Sequence, residues 1–259
     1  MPLTYFGHEL WSLGFGSATM SSKLLNYRRI FALALAVVLT VGVSRWSAAD
    51  GDTGWVFATS EAGISVSVRN DDSRSLPMFR GIGMVEASLL DILAVLDDTG
   101  RHTEWMANCA KAKVIRHIGE FDRVVYNRTA SPWPVSDRDV VLLGSIEGSM
   151  IKREVWSHFR AVSEPGNGPI DGIVRMPRLK GFYHLQAVDD THTRVTYQID
   201  ADPGGMLPDW LVSRATKRLP IDTIIGLRRQ TQKMRGHYGP FLKKYDPAHG
   251  GVVPAIFAK

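Results

Sequence analysis

The sequence holds a single cysteine, Cys109, in 259 residues. A lone cysteine excludes an intramolecular disulfide and a cysteine-based zinc site, and it reads as a small core side chain. No repeat of 20 to 50 residues and no low-complexity tract occurs, which excludes solenoids and arrays. Three chemical signatures are also missing: a His-Glu metal pattern, a nucleophile elbow, and a glycine loop that cradles phosphate. No catalytic residue, cofactor site or metal site is therefore assigned. An excess of one charge is lacking too. The formal net charge is +5, but four of the 31 basic residues and one of the 26 acidic residues fall in the first 49 positions. The remainder is close to neutral, which argues against nucleic acid as a partner.

Residues 30–43 form a run of apolar and small residues, interrupted only by Thr40. Lys23, Arg28 and Arg29 precede it, and Ser47-Ala48-Ala49 follows. Charge, apolar run and small residues in that order are the pattern of a secretory signal, and the run is short for a membrane span. The expectation is cleavage after Ala49 and an exported, periplasmic or secreted protein. Arg45 keeps open the alternative of an uncleaved anchor through residues 30–46. Arg28-Arg29 is a faint twin-arginine signal. Met20 would begin a conventional signal peptide, which makes residues 1–19 an upstream extension. The expected division is thus an extension with signal or anchor over 1–49, a folded domain over 50–238, and a surface tail over 239–259.

Residues 63–69 alternate apolar and polar side chains, the pattern of a half-buried strand. Residues 76–85 read as a second strand. Residues 87–96 have helical spacing, with Ser88 as N-cap. Strands are then expected over 113–118, 123–128, 140–146, 154–162, 181–188 and 193–200. Short Gly, Asp and Asn links between them favour an antiparallel meander. After Pro203-Gly204-Gly205, a helix is expected from Pro208 to about His237, kinked or divided at Pro220. Leu211, Ala215, Leu219, Ile224, Leu227 and Met234 form its apolar stripe, and its other face is rich in Lys and Arg. The fold class is α+β: a long antiparallel sheet with a C-terminal helix laid across it.

Four ordered stretches resemble START (StAR-related lipid-transfer) domains, within the wider helix-grip (SRPBCC) superfamily. They are Glu104-Trp105; Ser131-Pro132-Trp133-Pro134-Val135-Ser136-Asp137-Arg138-Asp139-Val140; Gly172-Ile173-Val174-Arg175; and residues 202–211, from Asp202-Pro203-Gly204-Gly205 to Trp210-Leu211. The resemblance implies a helix-grip fold, in which a curved antiparallel sheet grips a long C-terminal helix around an internal hydrophobic cavity. It also implies a non-catalytic lipid carrier, lidded by the C-terminal helix and an Ω-loop over 163–171. The lipid-binding candidates it implies are Glu104, Trp105, Asn127, Trp133, Arg138, Val140, Arg175, Leu179, Trp210, Leu211 and Ala215.

In phosphatidylcholine-carrying relatives, three aromatic side chains box the quaternary ammonium. Those positions fall here on Asn127, Val140 and Leu179, which offer no π face. The relatives' phosphate-binding arginine falls near His102. The sterol-carrying relatives' buried acid falls on Glu104, but its basic partner falls near Gly144, with Arg138 as a substitute on the same strand. The ligand expected is sterol-like or another apolar lipid. Asp137, Arg138 and Asp139 read mainly as a structural ion network, with a headgroup contact as the alternative. The helix's basic face is expected to meet an anionic membrane surface, and the protein to be a monomer. A cavity enzyme of the cyclase or aromatase type, using His117, His158, His184 or Glu104, is the rival reading, and a lipid-sensing module is a second.

Overall fold

The computed structural model describes residues 54–71 and 76–246. The apolar run 30–43, the cleavage point and the tail beyond residue 246 lie outside them.

Ten strands form one sheet. In chain order they are β1 (Val56–Glu61), β2 (Ile64–Arg69), β3 (Met78–Val85), β4 (Cys109–His117), β5 (Arg123–Thr129), β6 (Arg138–Ser149), β7 (Glu154–Ala161), β8 (Val174–Arg175), β9 (Arg178–Ala187) and β10 (Thr193–Asp202). The order across the sheet is β1-β2-β3-β10-β9-β7-β6-β5-β4. Each neighbouring pair on that path is antiparallel; β3 with β10 and β7 with β9 pair across long connections that the short-link reading did not cover, and β8 pairs with the start of β6 in parallel. The helices are α1 (Leu89–Asp97), α2 (His102–Trp105), α3 (Asp209–Lys233) and α4 (Gly239–Tyr245). The first two lie in the link from β3 to β4.

Ser88 caps α1 as expected: its Oγ accepts from the Asp91 backbone N–H at 3.1 Å and donates to the Asp91 carboxylate at 2.7 Å. Helix α1 buries Leu89, Leu90, Ile92, Leu93 and Val95, and α3 adds Ile221, Ile224 and Leu227. These side chains meet Ile64, Val66, Phe79, Leu185 and Val195 from the sheet in one core.

Two glycines of β3 set how closely α3 approaches. A Cβ on Gly81 would stand 2.8 Å from the Pro220 ring, and one on Gly83 would stand 3.3 Å from Ile224 of the helix. At the next turns of the helix, a Cβ on Gly226 would lie 1.9 Å from the Trp105 carbonyl oxygen. Of the two outcomes expected at Pro220, division does not occur: the helix runs unbroken from Asp209 to Lys233. The ring is buried against the sheet, and that burial offsets the hydrogen bond a proline cannot make.

The segment after Tyr238 also departs from the expected surface tail. Helix α4 buries Tyr245, whose ring lies 5.1 Å from Phe121 and whose hydroxyl donates to Glu120 at 2.8 Å. Tyr245 thus holds α4 on the β4–β5 turn by its ring and its hydroxyl.

Candidate functional site

Between the sheet and the first half of α3 lies a cavity of about 530 Å³. That is the size of a small-molecule site. Strand alternation builds its walls. On β6 the inward positions are Arg138, Val140, Leu142, Gly144 and Ile146; on β5 they are Arg123, Val125, Asn127 and Thr129. Leu179, Tyr183, Tyr197, Ile199 and Ala201 come from β9 and β10, and Leu211, Ala215 and Leu219 close the cavity from α3.

The cavity is apolar but not uniformly so. Tyr183 and Tyr197 stack at 4.5 Å between ring centres, and the buried Tyr183 hydroxyl has no hydrogen-bond partner. Burial pushes both phenols well above their ordinary range. The Asn127 amide has only weak sulfur acceptors, Cys109 Sγ at 3.6 Å and Met106 Sδ at 3.9 Å. His102 lines the wall with its Nε2 3.0 Å from the Leu96 carbonyl oxygen, and burial lowers its pKa, which favours the neutral ring.

Of the eleven sequence-derived candidates, seven line the cavity: Asn127, Arg138, Val140, Leu179, Trp210, Leu211 and Ala215. Four do not. The Glu104 carboxylate accepts from Lys233 at 2.7 Å, Gln230 at 3.2 Å and Arg101 at 2.8 Å, so it fastens α2 to α3 outside the cavity. Trp105 is buried beneath α3 at Gly226. Trp133 is 91% exposed. Arg175 holds Asp139 through both carboxylate oxygens, at 2.7 and 3.1 Å, and donates to the Asn167 and Gly168 carbonyls of the Ω-loop.

The Asp-Arg-Asp triplet divides by strand parity. Asp137 pairs with Arg128 and accepts the Ser131 N–H; Asp139 pairs with Arg175. These two are the structural network expected. Arg138 points the other way, into the cavity. Sequence reasoning missed Tyr183, Tyr197 and Arg214 as lining residues. Alternation along β9 and β10 carried the signal for the two tyrosines.

Of the histidines of the enzyme reading, His158 and His184 stand on the neighbouring strands β7 and β9, while His117 is on β4 at the far edge of the sheet. Trp156 stacks on His184 at 3.6 Å and on His158 at 5.7 Å, and each histidine has a glutamate at 3.1 Å. Alternation puts the side chains of this stack on the face opposite Phe159 and Tyr183, although His158 is among the residues that border the cavity. Among the described residues, no group of three His, Cys, Asp or Glu side chains is placed to hold a metal.

A curved antiparallel sheet wrapped on a C-terminal helix, with a chamber between them, defines a helix-grip protein. The START domain profile matches residues 47–235. An uncharacterised Pseudomonas aeruginosa protein is 31% identical over 184 residues, covering 69% of this chain and 87% of its own length. The bovine phosphatidylcholine transfer protein is 26% identical over 169 residues, covering 63% and 77%. The crystal structure of a Xanthomonas axonopodis STAR-related lipid transfer protein superimposes with a TM-score of 0.62 at 32% identity, over 69% of this chain and 99% of that one. The chain belongs to the START family.

Proposed function

We propose that this protein is a non-catalytic carrier that holds one lipid, sterol-like or otherwise largely apolar, in the cavity under α3. The observation that carries this reading is the 530 Å³ chamber lined by Val125, Val140, Leu142, Leu179 and Ile199 in a START chain. Such a chamber gains roughly 25 cal/mol for each Å² of apolar surface that ligand and wall remove from water. The lipid transfer proteins among its relatives support it. Asn127, Val140 and Leu179 stand at the wall without a π face, so a choline box at those three positions is not part of the design.

Loading takes place at a membrane, through the end where α3 begins. Pro132, Leu207 and Trp210 line the cavity there, and beside them Trp133 is 91% and Met206 97% exposed. Arg214 and Lys217 lie exposed on the same end of α3, suited to anionic headgroups. Arg228, further along, is not part of that basic face: it donates to the Met84 and Ala62 carbonyls, both at 2.7 Å, and staples the helix to the sheet. The gate is the first half of α3 with the Ω-loop. The protein acts as an exported monomer, released by cleavage after Ala49 or held by residues 30–46.

The test is native mass spectrometry with lipid extraction on the full-length chain purified from its host's envelope. One lipid per chain supports the carrier reading. A chain that stays empty when supplied with envelope lipids overturns it.

A further inference from the structure

Two buried arginines face the cavity from opposite ends, and they differ in one respect. Arg123, on β5, pairs with the Asp97 carboxylate and donates to the Asp97 carbonyl at 2.7 Å. Arg138, on β6, is equally buried, at 7% exposure, yet no carboxylate lies within ion-pair distance of it among the described residues. Asp137 and Asp139, its chain neighbours, are turned to the other face and held by Arg128 and Arg175. The Arg138 guanidinium donates to the Ser136 carbonyl at 2.6 Å and reaches the Gly204 carbonyl only at 3.5 Å, while its Nε has no partner.

A buried guanidinium without a counter-charge is costly, and proteins rarely leave one so. The fixed fork of N–H groups suits a carboxylate or phosphate better than any neutral acceptor. The exposed Arg214 on α3 adds a second positive charge to the wall at that end. From Arg138 the wall runs apolar through Val140, Leu142 and Val125 towards Arg123. The β5–β6 register sets Thr129 opposite Arg138 and Arg123 opposite Gly144, six residues apart, or about 20 Å at strand rise.

We infer that the cavity is built for an anionic amphiphile, with a carboxylate or phosphate headgroup paired to Arg138 and its hydrocarbon laid along β5 and β6 towards the Arg123 end. The inference rests on the carrier reading and adds a charged head to the ligand. The Asn127 amide, short of partners and opposite Val140, lies next along the path and suits a polar atom just behind such a head.

The test measures binding of cis-parinaric acid, a fluorescent fatty acid, and of its uncharged methyl ester to the full-length chain. Inorganic phosphate alone is assayed by thermal shift. The wild-type chain should prefer the acid by roughly tenfold to a hundredfold, the worth of a charge-assisted pair. Arg138→Gln should remove that preference, so that the variant binds acid and ester with equal affinity. Arg138→Lys keeps the charge but loses the fork, so it should weaken acid binding several-fold; it decides the matter if the glutamine variant does not fold. Equal affinity of the wild type for acid and ester overturns the inference and leaves the carrier reading standing, as does full acid affinity in Arg138→Lys. Binding of neither probe overturns both. Arg138-dependent stabilisation by inorganic phosphate, with no parinarate bound, shows a site for free anions and also overturns the inference.

Discussion

Arg175 clamps Asp139 through both carboxylate oxygens and holds the Asn167 and Gly168 carbonyls with the same guanidinium. The Asp139 side chain is fully buried and the Arg175 side chain keeps 23% exposure, so the pair joins the start of β6 to the Ω-loop with no solvent to replace the carboxylate's partner. Arg175→Met should therefore cost about 3–5 kcal/mol, the loss seen when one partner of a buried pair is removed. Urea unfolding measures the cost. Limited proteolysis should also show faster cleavage within residues 163–171. A loss near zero would mean that Asp139 finds another donor.

Glu104 gives a pH prediction. Its bonds to Lys233, Gln230 and Arg101 lower its pKa from the ordinary 4.5 to about 2. A carboxylate depressed in the folded state stabilises the fold above its ordinary pKa, and that contribution disappears as pH falls through the folded value. Glu104→Gln should thus lower the melting temperature at neutral pH. The gap to the wild type should shrink as pH drops from about 4.5 to about 2. Lipid binding should not change, because the carboxylate lies outside the cavity.

Gly226→Ala should destabilise by about 1–3 kcal/mol or more, because the new methyl meets the Trp105 backbone carbonyl, which cannot swing away. Gly239→Ala is the control, with nothing within 4 Å of a Cβ there. Thermal denaturation of the two variants side by side separates crowding from any general effect of replacing glycine.

Ala215→Trp should fill the chamber from the α3 side. Lipid recovered per chain in native mass spectrometry should fall well below that of the wild type. The melting temperature should hold, since the bulk enters a void and not a packed core.

Trp133→Ala with Met206→Ala should weaken binding to anionic vesicles while leaving stability within about 0.5 kcal/mol, because both side chains are almost wholly exposed. Charge reversal at Arg214 and Lys217 should act in the same direction. Vesicle sedimentation at two salt concentrations distinguishes the apolar contribution from the electrostatic one.

Most of the sheet, both main helices and the Ser88 cap were legible in the sequence, because period and capping chemistry are local. The start of β4 was not. Bulges between Cys109 and Lys111 and between Val114 and Arg116 break its alternation, so the strand read as beginning at Lys113 instead of Cys109. Strand β1 has Val56 and Phe57 exposed and shows little of a buried face, and it went unread. For the site, the strand and helix positions Asn127, Val140, Leu179, Leu211 and Ala215 were placed well, since backbone geometry alone turns them inward. Glu104 and Arg175 were misplaced for one reason. Their partners Lys233 and Asp139 lie 129 and 36 residues away, a pairing that no local pattern reveals. Trp133 was read as a lipid-binding residue, but it is 91% exposed in the loop before β6.

The order Asp137-Arg138-Asp139 also guards against misassembly. Were β6 to pair with β5 one residue out of step, two carboxylates would enter the chamber and a guanidinium would be stranded among Arg128 and Arg175. Each displaced ion would be buried without its partner, a far larger penalty than a misplaced apolar side chain carries. The triplet thus acts as a one-residue ruler for the central strands, and a folding chain that measured wrongly would be driven to unzip and start again.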